Sequence, residues 1–178
     1  MDDRNVPGDD HQHTLVVMRH AKSAWHTGAA DHARPLNERG LRDAPAAGRV
    51  LSQLGTPIDR VLCSSALRTR QTWEGAERGG AGATAVTYHD EIYESHPGEI
   101  LHLVQNLDDR VGCALVVGHY PGVALLVQGL AEGSDHPAMG QLAEKYPTSA
   151  ISVLRFTGSW AQLEVGGAEL IDFVSPRG

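Results

Sequence analysis

Lysine is nearly absent: of the 15 basic residues only Lys22 and Lys145 are lysines, leaving 13 arginines. The cations are therefore almost all planar guanidiniums, which fork onto carboxylate or phosphoryl oxygens where an ammonium acts as a point charge. Basic residues are also outnumbered by acidic ones, for a net charge of -7. That balance repels phosphate backbones and acidic lipid on average, so neither nucleic acid nor membrane is an expected partner, and an anionic ligand must be held by a local cluster of cations. Cysteine is limited to Cys63 and Cys113, each inside an apolar run and without metal-like spacing, which points to reduced core thiols. No apolar run is long enough to span a bilayer, no GxxxxGK[ST] loop occurs, and there is no internal repeat. Residues 1–13, MDDRNVPGDDHQH, are polar and acidic with no apolar targeting segment, so a disordered tail and a cytoplasmic protein are expected. His11 and His13 could ligate a metal in principle, but their setting reads as a solvated tail.

What the chain does have is enough apolar content for one well-packed domain, 41% of 178 residues, expected over residues 14–178. Short β-branched runs at 14–18 (TLVVM), 60–63 (RVLC), 84–88 (TAVTY) and 113–117 (CALVV) suit strands covered on both faces. Helical periodicity lies between them: Ile100, Leu103, Val104 and Leu107 after Pro97, and Val123, Leu126, Val127 and Leu130 after Pro121. A longer helix is expected from about 38 to 54, with Leu41, Ala44, Ala47, Leu51 and Leu54 inward. Pro45 requires that helix either to start near Asp43 or to kink. Two closing strands are expected at 150–156 and 161–165, joined by a turn at Gly158 and Ser159. The order is that of an α/β fold, a mostly parallel sheet with an antiparallel addition near the C-terminus.

Three strand ends carry polar residues that suit a phosphoryl group. The first ends in Arg19 and His20, the second in SSALRTRQT (Ser64 to Thr72), the fourth in GHYPG (Gly118 to Gly122). In an open parallel sheet ligands bind beyond the carboxyl ends of the strands, so these endings should share one edge. Arg68 would stand in the first turn of a helix whose free amides also favour an anion. Two guanidiniums can then fork onto phosphoryl oxygens while one imidazole attacks phosphorus and the other donates a hydrogen bond. Ser64 and Ser65 are expected to cap that helix, with phosphate contact as a second role. Trp25, Trp73 and Trp160 are expected to pack. His26, His32, His89, His96, His102 and His136 are read as surface residues, with His26 and His96 given some claim to the site mouth.

With those motifs in hand, the chain resembles the histidine phosphatase superfamily, the phosphoglycerate-mutase-like fold, and within it the short SixA-like phosphohistidine phosphatase branch. MRHAKS (Met18 to Ser23) resembles the family's nucleophile motif, RPLNERG (Arg34 to Gly40) the turn and helix start after it, SSALRTRQT its second-arginine motif, and VVGHYPG (Val116 to Gly122) its second-histidine motif. The likeness runs from about residue 14 to 175. It implies a three-layer sandwich, a mixed and mostly parallel sheet flanked by helices on both faces. It also implies that His20 is the nucleophile that becomes phosphorylated, that Arg19 and Arg68 bind the phosphoryl group, and that His119 completes the pocket, with no metal or other cofactor. Many members place proline after the first serine of the second motif, where this chain has Ser65. The larger phosphatases carry a glutamate proton donor after the third strand; Glu91 matches best and Glu94 next, and the short branch often lacks a clear acid. The lid loops of the mutases are absent, against a sugar-phosphate mutase.

The reading is a metal-independent phosphatase acting through a phosphohistidine intermediate, on protein phosphohistidine or on a small phosphomonoester. A non-catalytic phospho-ligand binding module of the same fold would be marked by loss of His20 or Arg68, and both are present. A metal-dependent hydrolase would call for ligand-spaced clusters, to which only the His11/His13 pair and His20 with Asp31 come near.

Overall fold

A computed structural model describes residues 11–178. Six strands form one sheet in the order β3-β2-β4-β1-β5-β6: β1 (Gln12–Arg19), β2 (Ile58–Ser64), β3 (Ala83–His89), β4 (Cys113–Gly118), β5 (Ile151–Thr157) and β6 (Glu169–Val174). The first four run parallel, while β5 is antiparallel to β1 and β6 to β5. Five helices accompany them: α1 (Glu38–Ser52), α2 (Leu67–Arg78), α3 (Pro97–Gln105), α4 (Gly122–Leu130) and α5 (Met139–Glu144). None is long and apolar enough to cross a membrane among the described residues.

The sheet is covered on both sides, and the pleat explains its continuous apolar strands. Along β1, Leu15 and Val17 join a core with α3 and α4 residues such as Ile100, Val104, Val123 and Val127. Val16 and Met18 face the opposite core, with Ala47, Leu51, Trp73 and Ala76 of α1 and α2. Burial lifts the thiols of Cys63 and Cys113, both free, to about 12. They stay protonated at neutral pH.

Several expectations are corrected. Gln12 and His13, assigned above to the tail, belong to β1. His13 is buried, with Nδ1 at 2.8 Å from the Gly158 carbonyl and Nε2 at 3.0 Å from that of Asp109. Residues 1–10 of the expected tail lie outside the described residues. Helix α1 starts at Glu38, as expected for 38 to 54, and the alternative start near Asp43 is excluded: the Asn37 side chain accepts from Gly40 N at 2.9 Å, and Pro45 lies in the helix interior. Leu41 is exposed because Gly40 takes the inward position, where a Cβ would collide with the Lys22 carbonyl. The expected strand at 161–165 is instead a 3-10 turn (Trp160–Gln162) followed by loop. Trp160 holds it there by burying its ring and donating Nε1–H to the Val111 carbonyl at 2.8 Å. The last strand is β6, and α5 lies in a stretch for which the sequence reading gives no element. Trp25 is exposed and lies against the Arg34 guanidinium, 4.0 Å from the ring centroid.

Helices α1 and α2 pack unusually close because small residues meet along the seam. A Cβ on Gly48 would strike the Ala76 carbonyl, and one on Gly79 the Pro45 carbonyl. Both obstacles are backbone and cannot rotate away. Gly48→Ala is therefore expected to destabilise the protein by about 1–3 kcal/mol, the usual range for overpacking, read as a lower urea midpoint at unchanged slope. Gly98→Ala, in open space on α3, should leave the midpoint unchanged or slightly raised.

Candidate active site

Strand register brings the polar ends to one level: Met18 of β1 pairs with Val117 of β4, and Val117 with Cys63 of β2. His20 leaves β1 pinned on both sides, its N–H donating to the Gly118 carbonyl at 3.0 Å and its carbonyl accepting from Ser149 N at 3.1 Å. Its side chain is buried, with Nδ1 at 2.7 Å from the Ala21 carbonyl. A carbonyl only accepts, so Nδ1 carries the proton and Nε2 presents its lone pair. His119 leaves β4 with its ring centroid 5.2 Å from that of His20. Its Nε2 shares a 2.7 Å hydrogen bond with Ser64 Oγ. Burial above all, then neighbouring cations, lowers both imidazoles to about 3: Arg68 and Arg19 act on His20, and His20 and Arg68 on His119. Both rings are neutral at pH 7.

Two guanidiniums flank the rings. Arg19 donates from Nη1 to the Tyr146 carbonyl at 2.8 Å, and Tyr146 is itself fixed by donating its hydroxyl to the Val17 carbonyl at 2.8 Å. Arg68, in the first turn of α2, donates from Nη1 to the Asp31 carbonyl at 2.8 Å and from Nη2 to Asp31 Oδ2 at 3.2 Å. These bonds leave Arg19 Nε, Arg68 Nε and His119 Nδ1 buried without a hydrogen-bond partner. Unpaired buried polar atoms are costly, and several in one place mark a ligand that supplies their partners. Helix α2 also lacks a side-chain cap at Ala66, leaving its first amides toward an anion. The set can hold a tetrahedral oxyanion against the free lone pair of His20.

The other residues singled out from the sequence fall as follows. Neither serine occupies the cap position, which is Ala66. Buried Ser64 bonds His119, and its Oγ accepts weakly from Ala66 N at 3.3 Å. Ser65 donates its hydroxyl to Asp90 Oδ1 at 2.5 Å and lies 2.9 Å from His32 Nε2. Glu91 sits exposed on the 3-10 turn Asp90–Ile92, and Glu94 is exposed just beyond it. Neither carboxylate makes a hydrogen bond or ion pair among the described residues, so the structure does not join them to the bonded set. His26 and His96 are likewise exposed, and the Glu99 carboxylate holds His96 N at 2.9 Å. His32 comes closer, edge-on to Tyr93 at 4.8 Å. Among the described residues no three His, Cys, Asp or Glu side chains gather as a metal site would require.

The sequence reading names Asp31 only as a metal-ligand candidate beside His20 and does not single out Tyr93; the structure gives both a different place. Asp31 receives Arg34 Nε at 2.9 Å, Arg68 Nη2 and the Tyr93 hydroxyl at 2.7 Å. The Tyr93 bond first, then Arg34 and Arg68, holds its carboxyl down to about 2, while the same bond raises the Tyr93 hydroxyl to about 12. The signal available beforehand was small: an aspartate three residues before an arginine in a loop of small residues. A cavity of about 750 Å³ lined by Gln12, Glu132, Arg155 and Glu169 stands at the other end of β1 and takes no part in this site.

Two outcomes follow from the geometry. Arg68→Lys keeps the charge but loses the fork that grips both Asp31 and an oxyanion, so kcat/KM should fall about 10²-fold or more. Arg70→Lys, on an exposed residue beside Tyr88, should stay within about threefold when the two are assayed side by side. The buried histidines also link stability to pH. Their folded values lie below the ordinary 6.5, so nothing is lost above that pH, while between about 6.5 and 3 the unfolded chain takes up protons that the folded one excludes. Stability should fall on acidification by up to about 1.4 kcal/mol per pH unit for each such histidine. His119→Asn should flatten that slope in urea titrations between pH 7 and 4.

The same arrangement connects the chain to known proteins. A sequence model of the histidine phosphatase superfamily (branch 1) matches residues 15–115. An uncharacterised protein of Mycobacterium tuberculosis is 43% identical over 162 residues, 90% of this chain and the whole of that one. Among solved structures, a putative phosphohistidine phosphatase SixA from Nakamurella multipartitia superposes with a TM-score of 0.83 at 36% identity, covering 93% of this chain and 96% of that one. A protein histidine phosphatase SixA complexed with tungstate gives 0.74 at 26% identity, covering 92% and 97%. With the four motifs assembled at one sheet edge and the fold shared over nearly its full length, the chain belongs to the histidine phosphatase superfamily, in its SixA-like branch.

Proposed function

We propose that this phosphatase works without a metal, that His20 Nε2 takes the phosphoryl group, and that its substrate is phosphohistidine on a protein. The observation that carries the reading is the 2.7 Å contact of His20 Nδ1 with the Ala21 carbonyl, which assigns the ring proton to Nδ1. With Nδ1–H bound to the Ala21 carbonyl, Nε2 is a nucleophile that needs no base to deprotonate it. Arg19, Arg68 and His119 supply unpaired donors for the phosphoryl oxygens, which is the positioning and charge stabilisation that phosphoryl transfer asks of a protein.

In the first step the Nε2–P bond forms as the bond to the leaving group breaks, and the leaving atom keeps the electron pair. In the second, water oxygen bonds to phosphorus, the pair returns to Nε2, and the water proton leaves with phosphate. The acidic partners favour a nitrogen leaving group. A leaving alkoxide is strongly basic and must be protonated as it departs, yet Asp31 is ionised at neutral pH and has no proton to give. An imidazole whose second nitrogen is already protonated, a proton held with a pKa of ~6.5, departs as a neutral ring without such help.

Brief mixing with a ³²P-phosphohistidine peptide and a base quench should trap an acid-labile, base-stable label on the wild-type chain and none on His20→Ala. Equal labelling of the variant would remove His20 from the role. Turnover should persist within about twofold in excess EDTA, since cationic side chains provide the charge that a metal would otherwise supply. A loss restored by Zn²⁺ or Mg²⁺ would overturn metal independence. Faster hydrolysis of a simple alkyl phosphate than of any phosphohistidine peptide would reassign the substrate and leave the phosphatase chemistry standing.

A further inference from the structure

We infer that the Asp31 carboxylate sets the specificity of this site, favouring phosphoryl donors whose leaving nitrogen carries positive charge. The inference rests on the reading of the pocket as a phosphoryl-transfer site and deepens it.

The charges are layered. Arg68 and Arg34 have side chains 6% and 11% exposed, whereas that of Asp31, bonded to both, is 49% exposed. The guanidiniums therefore stand inside and the carboxylate at the mouth. Its two oxygens are held by Arg34 Nε on one side and by Arg68 Nη2 and Tyr93 on the other, so the negative charge is fixed in place instead of swinging on a loop. Asp31 also acts electrostatically on His119, which puts its field within reach of the reacting centre. The Asp90, Glu91 and Glu94 side chains are exposed on the neighbouring segment, and Ser65 ties Asp90 to the Arg68 helix. A ligand is called for independently by the buried, unpartnered nitrogens of Arg19, Arg68 and His119.

Charge bookkeeping across the first step shows what this field selects. A phosphoimidazole protonated on its distal nitrogen carries a positive ring beside a phosphoryl dianion. When His20 Nε2 bonds to phosphorus and the P–N bond breaks, the departing ring keeps the electron pair and its distal N–H and becomes neutral. The positive charge is now on the His20 ring, whose Nδ1–H still faces the Ala21 carbonyl. A carboxylate at the mouth stabilises the protonated donor and favours the form that departs without further proton transfer. For an aryl phosphate the departing phenolate gains negative charge, and the same carboxylate opposes it.

Asp31→Asn tests this, because the amide oxygen can still accept from Arg68 and the Asp31 main-chain carbonyl is untouched. Three donors are compared by kcat/KM: a phosphohistidine peptide, phosphoramidate and p-nitrophenyl phosphate. The variant should lose about tenfold or more on the two P–N donors relative to p-nitrophenyl phosphate, as expected for removing a fixed charge near the leaving group. Equal losses on all three would mean that Asp31 acts only by holding Arg68, and no change in the ratios would also overturn the inference. Failure of the wild type on the peptide, with phosphoramidate still selectively impaired by Asp31→Asn, would sink the protein-phosphohistidine reading and leave the charge selection intact.

Discussion

A 2.7 Å hydrogen bond from His20 Nδ1 to the Ala21 carbonyl decides what the rest of the structure can do. It is local in sequence, one residue away, yet its geometry is set globally. The His20 main chain is clasped between Gly118 at the end of β4 and Ser149 before β5, so the backbone that carries the ring cannot shift without breaking bonds to both. A proton held on Nδ1 leaves the Nε2 lone pair free, and burial, then nearby guanidiniums, keeps that atom unprotonated. A free imidazole in water has neither restriction.

The cations that make the site attractive to phosphate also repel one another. Arg19, Arg68 and two imidazoles share a small volume, with three nitrogens unpaired, and their mutual repulsion is part of why both rings resist protonation. Asp31 relieves some of that repulsion by taking one edge of Arg68 while leaving Nε unused. The hydroxyl of Tyr93 and the guanidinium of Arg34 hold Asp31 in turn. Preorganised donors of this kind act strongly because they need not reorient when charge develops.

How much of this was legible depended on the range of the interactions. The strand runs, the helices after Pro97 and Pro121, and the convergence of Arg19, His20, Arg68 and His119 could all be read, because apolar periodicity and the strand-end rule are local or topological signals. Leu41 was misplaced because a backbone collision at Lys22, not side-chain hydrophobicity, sets the phase of α1. The strand expected at 161–165 failed because Trp160 finds its partner at Val111, a contact that no window of sequence contains. Tyr93, and the role of Asp31 as a partner of arginines instead of a metal, are illegible for the same reason, since their mutual bond joins two loops far apart in the chain. Tyr146, which braces Arg19 from beneath, sits after a short helix that the sequence pattern does not announce.

The placement of β1 has a consequence for how the protein is made. Of the six described strands it is translated earliest, but it lies inside the sheet, and both of its partners come late: β4 begins at Cys113 and β5 at Ile151. During elongation the run Leu15 to Met18, buried on both faces in the finished fold, must wait for segments still to be translated. Long-range pairing of this kind slows folding and leaves apolar strand surface open to other chains in the interval. His20, just past the end of that strand, is consequently held on both sides only when the chain before β5 docks, and a nascent chain halted before Ile151 would carry every motif of the site without its assembled geometry.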